Sequence, residues 1–209
     1  GHYCPEGTAA ATQFPCPGGS FNRLPGATSD AACDLCPPGS YCPQGSDDSD
    51  NLCPSGYVCP AGTQFSDEVP CPAGRFSGDV VGLASTAECF NCTAGAYCPE
   101  GSAQPVPCGS GFYNPDAGAD AALSCRACEP GFACPVAGMS ATLVRCAPGH
   151  YCPAGTPFPY SNNCPAGRYT DRDDLIRPED CDVCPERFAC AAGTGGTQQP
   201  PQPCAAGHY

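Results

Sequence analysis

The sequence contains no lysine and no tryptophan, and it has a single methionine. Its eight basic residues are all arginines, and they stand against 21 acidic residues, which gives a formal net charge of −13. A chain this acidic repels the phosphates of nucleic acids and the anionic surface of membranes. We therefore expect no nucleic-acid partner, and we expect the acidity to favour solubility and mutual repulsion.

Large apolar side chains are also scarce. Leu, Ile, Val and Phe together number 25 of 209 residues. This fraction, roughly 12%, is well below the ~20% under which a charged chain is usually disordered. No apolar run approaches the ~18 residues that span a bilayer, and no basic-then-apolar leader precedes Gly1. We expect no membrane insertion in this segment, which is interpreted as a mature or excised piece.

Cysteine replaces the missing core. The chain has 22 cysteines, about one residue in ten, which is typical of a disulfide scaffold in an oxidising compartment. Closing a 16-residue gap with a disulfide contributes on the order of 3 kcal/mol. We predict an extracellular or cell-surface (secreted) location, no cofactor, and structural disulfides in place of a hydrophobic core.

The cysteines follow a repeated spacing. The fullest copy runs from Cys146 to Cys184 as Cys-x5-Cys-x11-Cys-x16-Cys-x2-Cys, and the rest of the chain repeats it in full or shortened form. Self-similarity of this kind is typical of arrays in which each repeat contacts its neighbours. The predicted repeats are long at 1–35 (entered late), short at 36–52, long at 53–91, long at 92–127, short at 128–145, long at 146–183, and short at 184–209, where the next repeat also starts.

Turns are the clearest local signal. Cys-Pro-x-Gly sequences recur along the chain and reverse it, because proline presets φ at the second position of a turn and glycine accepts the backbone angle that other residues resist. No 12-residue window has a helical apolar stripe. The predicted fold class is therefore a set of small disulfide-rich repeats, forming an elongated rod of tandem cysteine-rich modules with short β-hairpins and almost no helix.

The two ends complete each other. Residues 204–209 stop one residue before the cysteine that the pattern requires, and residues 1–4 would supply it. The sequence is thus either a window cut from a longer array or one copy that joins the next head to tail. We expect self-association or a longer chain of the same repeats.

Spacing alone does not fix the disulfide pairing. We predict local closure of the 16- or 17-residue gaps and a crossed pairing of the remaining cysteines. The local pairs are Cys16–Cys33, Cys71–Cys89, Cys108–Cys125 and Cys164–Cys181. The crossed pairs are Cys36–Cys53, Cys42–Cys59, Cys128–Cys146, Cys134–Cys152 and Cys184–Cys204. Cys92 and Cys98 then either pair with each other or break the rule, while Cys190 is predicted to bond to Cys4 of the next copy.

Two strings carry a family resemblance. Residues 71–92 and 164–184 each read Cys-Pro-Ala-Gly-Arg-aromatic and end in Cys-x2-Cys, a pattern that resembles the ephrin-receptor-like cysteine-rich repeat. That repeat is distantly similar to tumour-necrosis-factor-receptor and EGF-like modules. The resemblance covers nearly the whole chain, and it implies an extracellular array such as those in surface and flagellar hair proteins of protists and algae.

Candidate sites are few. The Cys-x2-Cys pairs lack the ~15–20-residue interval of a zinc ribbon, which favours structural disulfides over zinc or redox pairs. Asp47, Asp48 and Asp50 offer oxygens for calcium but lack the EF-hand spacing, so a solvated acidic loop is the favoured reading. Asn91-Cys92-Thr93 matches the acceptor sequence for N-linked glycans.

No catalytic group stands out. His2, His150 and His208 occupy the same Gly-His-Tyr slot, whereas a catalytic histidine would be singular, and no nucleophile has a recognisable base partner. We expect no enzyme activity. The predicted function is structural: a disulfide-stapled rod in a glycosylated filament, matrix or cell-surface appendage.

The alternative function is a stalk or ligand-binding ectodomain of a cell-surface receptor or adhesin. It predicts one repeat that departs from its siblings in exposed aromatic residues or charge. The candidates are the acidic loop at 47–51 and the Phe158-Pro159-Tyr160 segment.

Overall fold

A computed structural model describes residues 1–205. His208 and its neighbours at 206–209 lie outside the described residues. Secondary structure within 1–205 consists of two-residue strands and single turns of 3₁₀-helix at Asp30–Ala32, Thr86–Glu88, Ala122–Ser124 and Pro178–Asp180. No helix among these residues is long and apolar enough to cross a bilayer.

Fourteen strands of the described chain pair into seven antiparallel two-stranded sheets. The pairs, in chain order, are β1 (Ser20–Phe21) with β2 (Asp34–Leu35), β3 (Arg75–Phe76) with β4 (Phe90–Asn91), β5 (Ala96–Tyr97) with β6 (Val106–Pro107), β7 (Phe112–Tyr113) with β8 (Arg126–Ala127), β9 (Phe132–Ala133) with β10 (Val144–Arg145), β11 (Arg168–Tyr169) with β12 (Asp182–Val183), and β13 (Phe188–Ala189) with β14 (Gln202–Pro203). Short hairpins and the near absence of helix confirm the predicted fold class of cysteine-rich modules.

The chain divides into two compact units. The first comprises 1–92, 98–105 and 118–121, and the second comprises 93–97, 106–117 and the described residues from 122 onward. Both units are built from the same element, which we call a coil. A coil begins at a cysteine, position 0, and ends before the cysteine that starts the next coil. The ten coils whose starts and ends both lie in the described chain begin at Cys16, Cys36, Cys53, Cys71, Cys92, Cys108, Cys128, Cys146, Cys164 and Cys184.

Position +3 of each coil is a sharp turn. It is glycine in nine of these ten coils, and each of these glycines has a positive φ, for example 87° at Gly39 and 82° at Gly149. Such angles are open to glycine and costly for residues with a Cβ. The tenth coil has Arg187 at this position, and it adopts φ 70° all the same. The predicted turn glycines in Cys-Pro-x-Gly also have positive φ, for example 81° at Gly45 and Gly74.

Backbone hydrogen bonds repeat from coil to coil within each unit. In the first unit the N–H of Cys53 donates to the carbonyl oxygen of Gly39 at 2.9 Å, and the N–H of Gly39 donates to the carbonyl of Cys59 at 2.7 Å. In the second unit the N–H of Cys164 donates to Gly149 at 2.8 Å in the same way. This series of main-chain hydrogen bonds, which we call the ladder, holds the fold and depends little on which side chains are present.

Disulfides close the coils in two ways. Four wide loops join position 0 to a cysteine 17 or 18 residues later, and these bonds are Cys16–Cys33, Cys71–Cys89, Cys108–Cys125 and Cys164–Cys181. They are the same four local pairs that the gap length predicts. Six narrow loops join position 0 to position +6, and these bonds are Cys36–Cys42, Cys53–Cys59, Cys92–Cys98, Cys128–Cys134, Cys146–Cys152 and Cys184–Cys190.

The narrow loops overturn the crossed pairing. The structure does not form the predicted pairs Cys36–Cys53, Cys42–Cys59, Cys128–Cys146, Cys134–Cys152 and Cys184–Cys204. The physical reason is the left-handed turn at position +3, which brings positions 0 and +6 back together with Cα atoms 5.7–5.9 Å apart in all six loops. That separation suits a disulfide.

Cys4 and Cys204 are the unpaired cysteines of the described chain, and both are exposed. Cys190 bonds to Cys184, so it has no thiol left for the predicted bond to Cys4 of another copy. Cys4 makes the backbone hydrogen bond that is typical of position +6. Its N–H donates to the carbonyl of Ala27 at 2.7 Å, just as the N–H of Cys59, at position +6 of its coil, donates to the carbonyl of Leu83 at 2.8 Å.

The buried interior is mostly disulfide. Val58, Leu83 and Leu175 are the large aliphatic side chains buried in 1–205, at 1%, 6% and 1% exposure, and they pack on disulfide cysteines. Wide-loop coils lack a cysteine at position +6 and place a buried polar residue there: Asn22, Ser77, Asn114 or Thr170. Each of these four side chains makes a hydrogen bond to the backbone. Polar groups thus replace sulfur where the narrow loop is absent.

Candidate functional site

Two stretches of the chain have the same coil order and can be compared position by position. One is residues 53–104 and the other is residues 146–199, which we call the 53–104 and 146–199 segments. Each begins with a narrow-loop coil, continues with a wide-loop coil, and ends within a second narrow-loop coil. Equivalent positions include Tyr57 and His150, Asp67 and Tyr160, and Ala103 and Gly195.

The 146–199 segment contains an open cavity of about 380 Å³. Its lining comes from the start of the narrow-loop coil, from Tyr160, and from a loop two coils later. The lining residues are Ala147, Pro148, His150, Tyr160, Gly193, Gly195, Gly196, Thr197, Gln198 and Gln199. None of them carries a formal charge when histidine is neutral, so the cavity is lined by neutral polar groups and one aromatic ring.

The aromatic wall is held by a tight turn. The N–H of Ser161 donates to the carbonyl of Phe158 at 3.1 Å, and the N–H of Phe158 donates to the Ser161 hydroxyl at 3.2 Å. The N–H of Ala147 donates to the carbonyl of Pro159 at 2.8 Å and fixes the turn to the start of the coil. The Phe158 and Tyr160 rings stack at 6.3 Å with an interplanar angle of 11°, and Tyr160 remains 64% exposed.

His150 lines the cavity next to Pro148. Its Nδ1 lies 2.9 Å from the carbonyl oxygen of Pro148. A carbonyl only accepts, so in the neutral imidazole Nδ1 carries the proton and Nε2 is an acceptor. The backbone around His150 is fixed by an isolated antiparallel bridge to Asn163.

The opposite wall is a loop that contains consecutive glycines. The N–H of Gly195 donates to the carbonyl of Gln199 at 2.8 Å, and the N–H of Gly196 donates to the Asp171 carboxylate at 2.7 Å. A Cβ on Gly195 would collide with the Thr170 carbonyl oxygen and the Gly149 nitrogen. Close approach of these backbones therefore requires glycine, and it sets the loop against the coil that carries His150.

The 53–104 segment has a larger ring at the position of His150. The phenol end of Tyr57 lies against Gly101, since a Cβ there would be 3.7 Å from the Tyr57 hydroxyl. Gly101 is equivalent to Gly193, and Tyr57 to His150. At Gly193 the neighbour is instead the Asn163 side chain, since a Cβ there would be 3.3 Å from Asn163 Cγ, and His150 lines the cavity.

The acidic loop is organised by arginine. Asp50 forms an ion pair with Arg23 at 2.7 Å, and the N–H of Asp50 donates to the Asp48 carboxylate at 3.2 Å. Asp47, Asp48 and Asp50 do not converge on a metal site: within 1–205 no three acidic, histidine or cysteine residues are placed to hold an ion. A surface pair of this kind contributes little, about 0–1 kcal/mol.

Asn91 is exposed at the end of β4, where it pairs with Arg75 of β3. Thr93 of the acceptor sequence is exposed as well, and the intervening Cys92 is buried in its disulfide with Cys98. Carbohydrate on this asparagine stays a prediction, and the exposed position gives it room.

Sequence reasoning singled out the Phe158–Tyr160 turn but missed the glycine loop and His150 as its neighbours. The signal available was Gly195-Gly196, which replaces Ala103-Gln104 of the sibling segment. The disulfide content fits an extracellular, secreted or cell-surface protein built as a tandem cysteine-rich array. No protein-family model matches the chain, and no curated protein matches it.

Proposed function

We propose that the protein is an extracellular structural protein, a disulfide-stapled rod that forms part of a glycosylated filament, matrix or cell-surface appendage, with no enzymatic role. The observation that carries the proposal is the coil repeat. In each unit the same backbone bonds recur at successive coils, as between Cys36 and Gly19 at 2.9 Å and between Cys128 and Gly111 at 2.8 Å.

Repetition of this kind suits a load-bearing element. Each coil is closed by its own disulfide, so a pulling force meets a covalent loop at every step. Each disulfide also lowers the entropy of the denatured chain, and a typical one raises the free energy of unfolding by about 2–4 kcal/mol. A chain with so few large apolar residues gains its stability in this way.

The ephrin-receptor-like assignment belongs to the same proposal. Residues 71–92 and 164–184 both form a wide loop that contains a two-stranded sheet, β3 with β4 in one and β11 with β12 in the other. Arg75 and Arg168, which follow the turn glycine in the resembling motif, donate to the carbonyls of Cys89 and Cys181 at 3.1 and 2.6 Å. These arginines hold the far end of the wide loop, which gives the motif a structural role.

Electron microscopy of the oxidised protein, purified from its natural source and negatively stained, tests the filament. We expect long uniform fibres with a longitudinal repeat that vanishes after reduction of the disulfides. The control is a sample alkylated without reduction, which blocks Cys4 and Cys204 alone among the described cysteines. Discrete short particles in both oxidised samples would contradict the filament and leave the receptor or adhesin alternative.

That alternative is supported by one observation of its own. The 146–199 segment has the exposed Tyr160 where its sibling has Asp67, and this ring lines the cavity. A ligand-binding ectodomain predicts a departure of this kind. The two functions are compatible, because a structural array can carry a binding site on one of its coils.

A further inference from the structure

We propose that the cavity lined by His150, Tyr160 and 193–199 binds a neutral saccharide. This inference is independent of whether the protein forms filaments. Its volume of about 380 Å³ lies within the ~300–1,000 Å³ range of small-molecule sites. The geometry supplies both kinds of contact that a sugar ring needs: an exposed aromatic face and a set of hydrogen-bonding groups.

The aromatic face is Tyr160. A sugar ring has one face made largely of C–H groups, and such a face packs well on an aromatic ring because burying it removes apolar surface from water. The Tyr160 ring is 64% exposed and is backed by Phe158 at 6.3 Å. The turn hydrogen bonds between Phe158 and Ser161 hold the backbone in place. A ligand therefore meets a wall whose backbone is already ordered, which lowers the entropy cost of binding.

The hydrogen-bonding groups face it from the loop. The side-chain amides of Gln198 and Gln199 are exposed and make no hydrogen bond to residues 1–205. Each amide offers both a donor and an acceptor, and Nε2 of neutral His150 offers a further acceptor. Sugar hydroxyls both donate and accept, so they can satisfy this mixed set.

The charges around the cavity favour a neutral ligand over a charged one. Among residues 1–205 no carboxylate, arginine or lysine lines the cavity, and the chain carries a net charge of −13. Acidic sugars, sulfated glycans and nucleotides would be repelled at a distance and would find no cation to pair with. Cationic ligands would find no anionic partner among the lining side chains.

The cavity also coincides with a group of substitutions. The 53–104 segment keeps both disulfides and the ladder but has Tyr57, Asp67, Ala103 and Gln104 where the 146–199 segment has His150, Tyr160, Gly195 and Gly196. Structural needs are met by either set. The changed residues of the 146–199 segment all line the cavity, and one of them adds an aromatic ring to it.

Titration of the oxidised 209-residue protein tests the proposal, with neutral oligosaccharides of glucose, mannose, galactose and arabinose as probes. Saturation-transfer NMR identifies the sugar that binds, and calorimetry gives its affinity. We expect Tyr160→Ala to weaken binding at least tenfold by removing the aromatic face. We expect His150→Tyr to abolish binding, because it places the larger ring of the sibling segment at a position that lines the cavity.

Matched controls come from the sibling segment. Tyr57→His and Asp67→Ala change the equivalent positions at 53–104 and should leave the affinity unchanged. Because Tyr160 is exposed, Tyr160→Ala keeps the test valid if His150→Tyr fails to fold. The proposal is overturned if no probe binds, if binding survives both cavity variants, or if a decaproline peptide binds at this wall while the sugars do not.

Discussion

The 53–104 and 146–199 segments each place a narrow loop before a wide one, Cys53–Cys59 before Cys71–Cys89 in the first and Cys146–Cys152 before Cys164–Cys181 in the second. Their Cα separations agree within 0.1 Å at the narrow loops, 5.7 against 5.8 Å, and are equal at the wide loops, 6.0 Å. The surfaces built on them differ: Tyr57 lies against Gly101, whereas His150 borders a cavity.

This difference shows which residues the fold depends on. Position 0, position +3 and the partner cysteine determine the path of the backbone. The ladder is formed by main-chain groups: every residue has a C=O group, and every residue except proline has an N–H group. Surface positions such as 57 and 67 are then free to vary. A repeat of this kind can acquire a binding site on one coil without altering its neighbours.

The largest effect is expected where the two segments have different backbone requirements. Gly195→Ala places a Cβ against the Thr170 carbonyl and the Gly149 nitrogen. Because both are main-chain atoms held in the ladder, overpacking should destabilise the 146–199 segment by about 1–3 kcal/mol. Hydrogen–deuterium exchange of the disulfide-bonded protein would show this as faster exchange at Gly149 and Thr170.

Its matched control is Ala103→Gly, at the equivalent position of the 53–104 segment. Ala103 already accommodates a Cβ, so its removal should cost less than Gly195→Ala, about 0.5–1 kcal/mol through added chain entropy. Equal hydrogen-exchange rates at Gly149 in the wild type and in Gly195→Ala would contradict the close approach of the Gly195 backbone to Gly149 and Thr170.

A smaller contrast is expected at position +6. In the 53–104 segment the N–H of Gly56 donates to the Ser77 hydroxyl at 2.6 Å, whereas in the 146–199 segment the N–H of Gly149 donates to the main-chain carbonyl of Thr170 at 2.9 Å. Ser77→Ala removes the one acceptor that the described residues offer to the buried Gly56 N–H, which costs about 1–3 kcal/mol. Thr170→Ala keeps the acceptor and loses one hydrogen bond from the Arg172 N–H, a net loss of about 0.5–1.5 kcal/mol.

Exchange rates at Gly56 in Ser77→Ala and at Gly149 in Thr170→Ala measure this contrast. Ser77→Thr serves as the control, since it restores a hydroxyl at the same position. Equal acceleration in the two alanine variants would mean that the side-chain acceptor at Ser77 has no special role.

Much of the fold could be predicted from the cysteines, prolines and glycines. Gap length identified the wide loops, such as Cys71–Cys89, because a long gap closed by a local bond needs no knowledge of neighbouring coils. The narrow loops were predicted wrongly, except that pairing of Cys92 with Cys98 was left open. The spacing shows two cysteines six residues apart but not the left-handed turn, at Gly95 for example, that brings them together.

The candidate site was less predictable. The Phe158-Pro159-Tyr160 segment could be singled out as a place where one repeat departs from its siblings in aromatic residues. Its relation to Gln198 and Gln199 could not, because those residues lie almost forty positions away and reach the cavity only through coil packing. Local patterns predict turns well, whereas contacts between coils require the register of the ladder.

The smallest effect is expected at an ion pair that one segment has and the other lacks. The Arg172 guanidinium donates two hydrogen bonds to the Asp174 carboxylate, at 3.0 and 3.2 Å, and these bonds lower the pKa of Asp174 below its ordinary value. In the 53–104 segment the place of Asp174 is taken by Gly82, whose carbonyl lies near Gly39 as that of Asp174 lies near Gly131, and glycine cannot form such a pair. Because the folded pKa lies below the unfolded one, the pair stabilises the folded protein above the unfolded pKa, and this contribution is lost as the pH falls through the folded pKa.

NMR titration of the Asp174 carboxyl carbon measures the pKa directly. We expect Arg172→Gln to raise the pKa of Asp174 towards its ordinary value, with a change in unfolding free energy too small to separate from salt effects, because both side chains are about half exposed or more. Arg177→Gln is the control, since Arg177 is not a partner of Asp174. A titration midpoint that is the same in wild type and Arg172→Gln would show that the pair does not persist in solution, and the two segments would then share their electrostatics as well as their backbone.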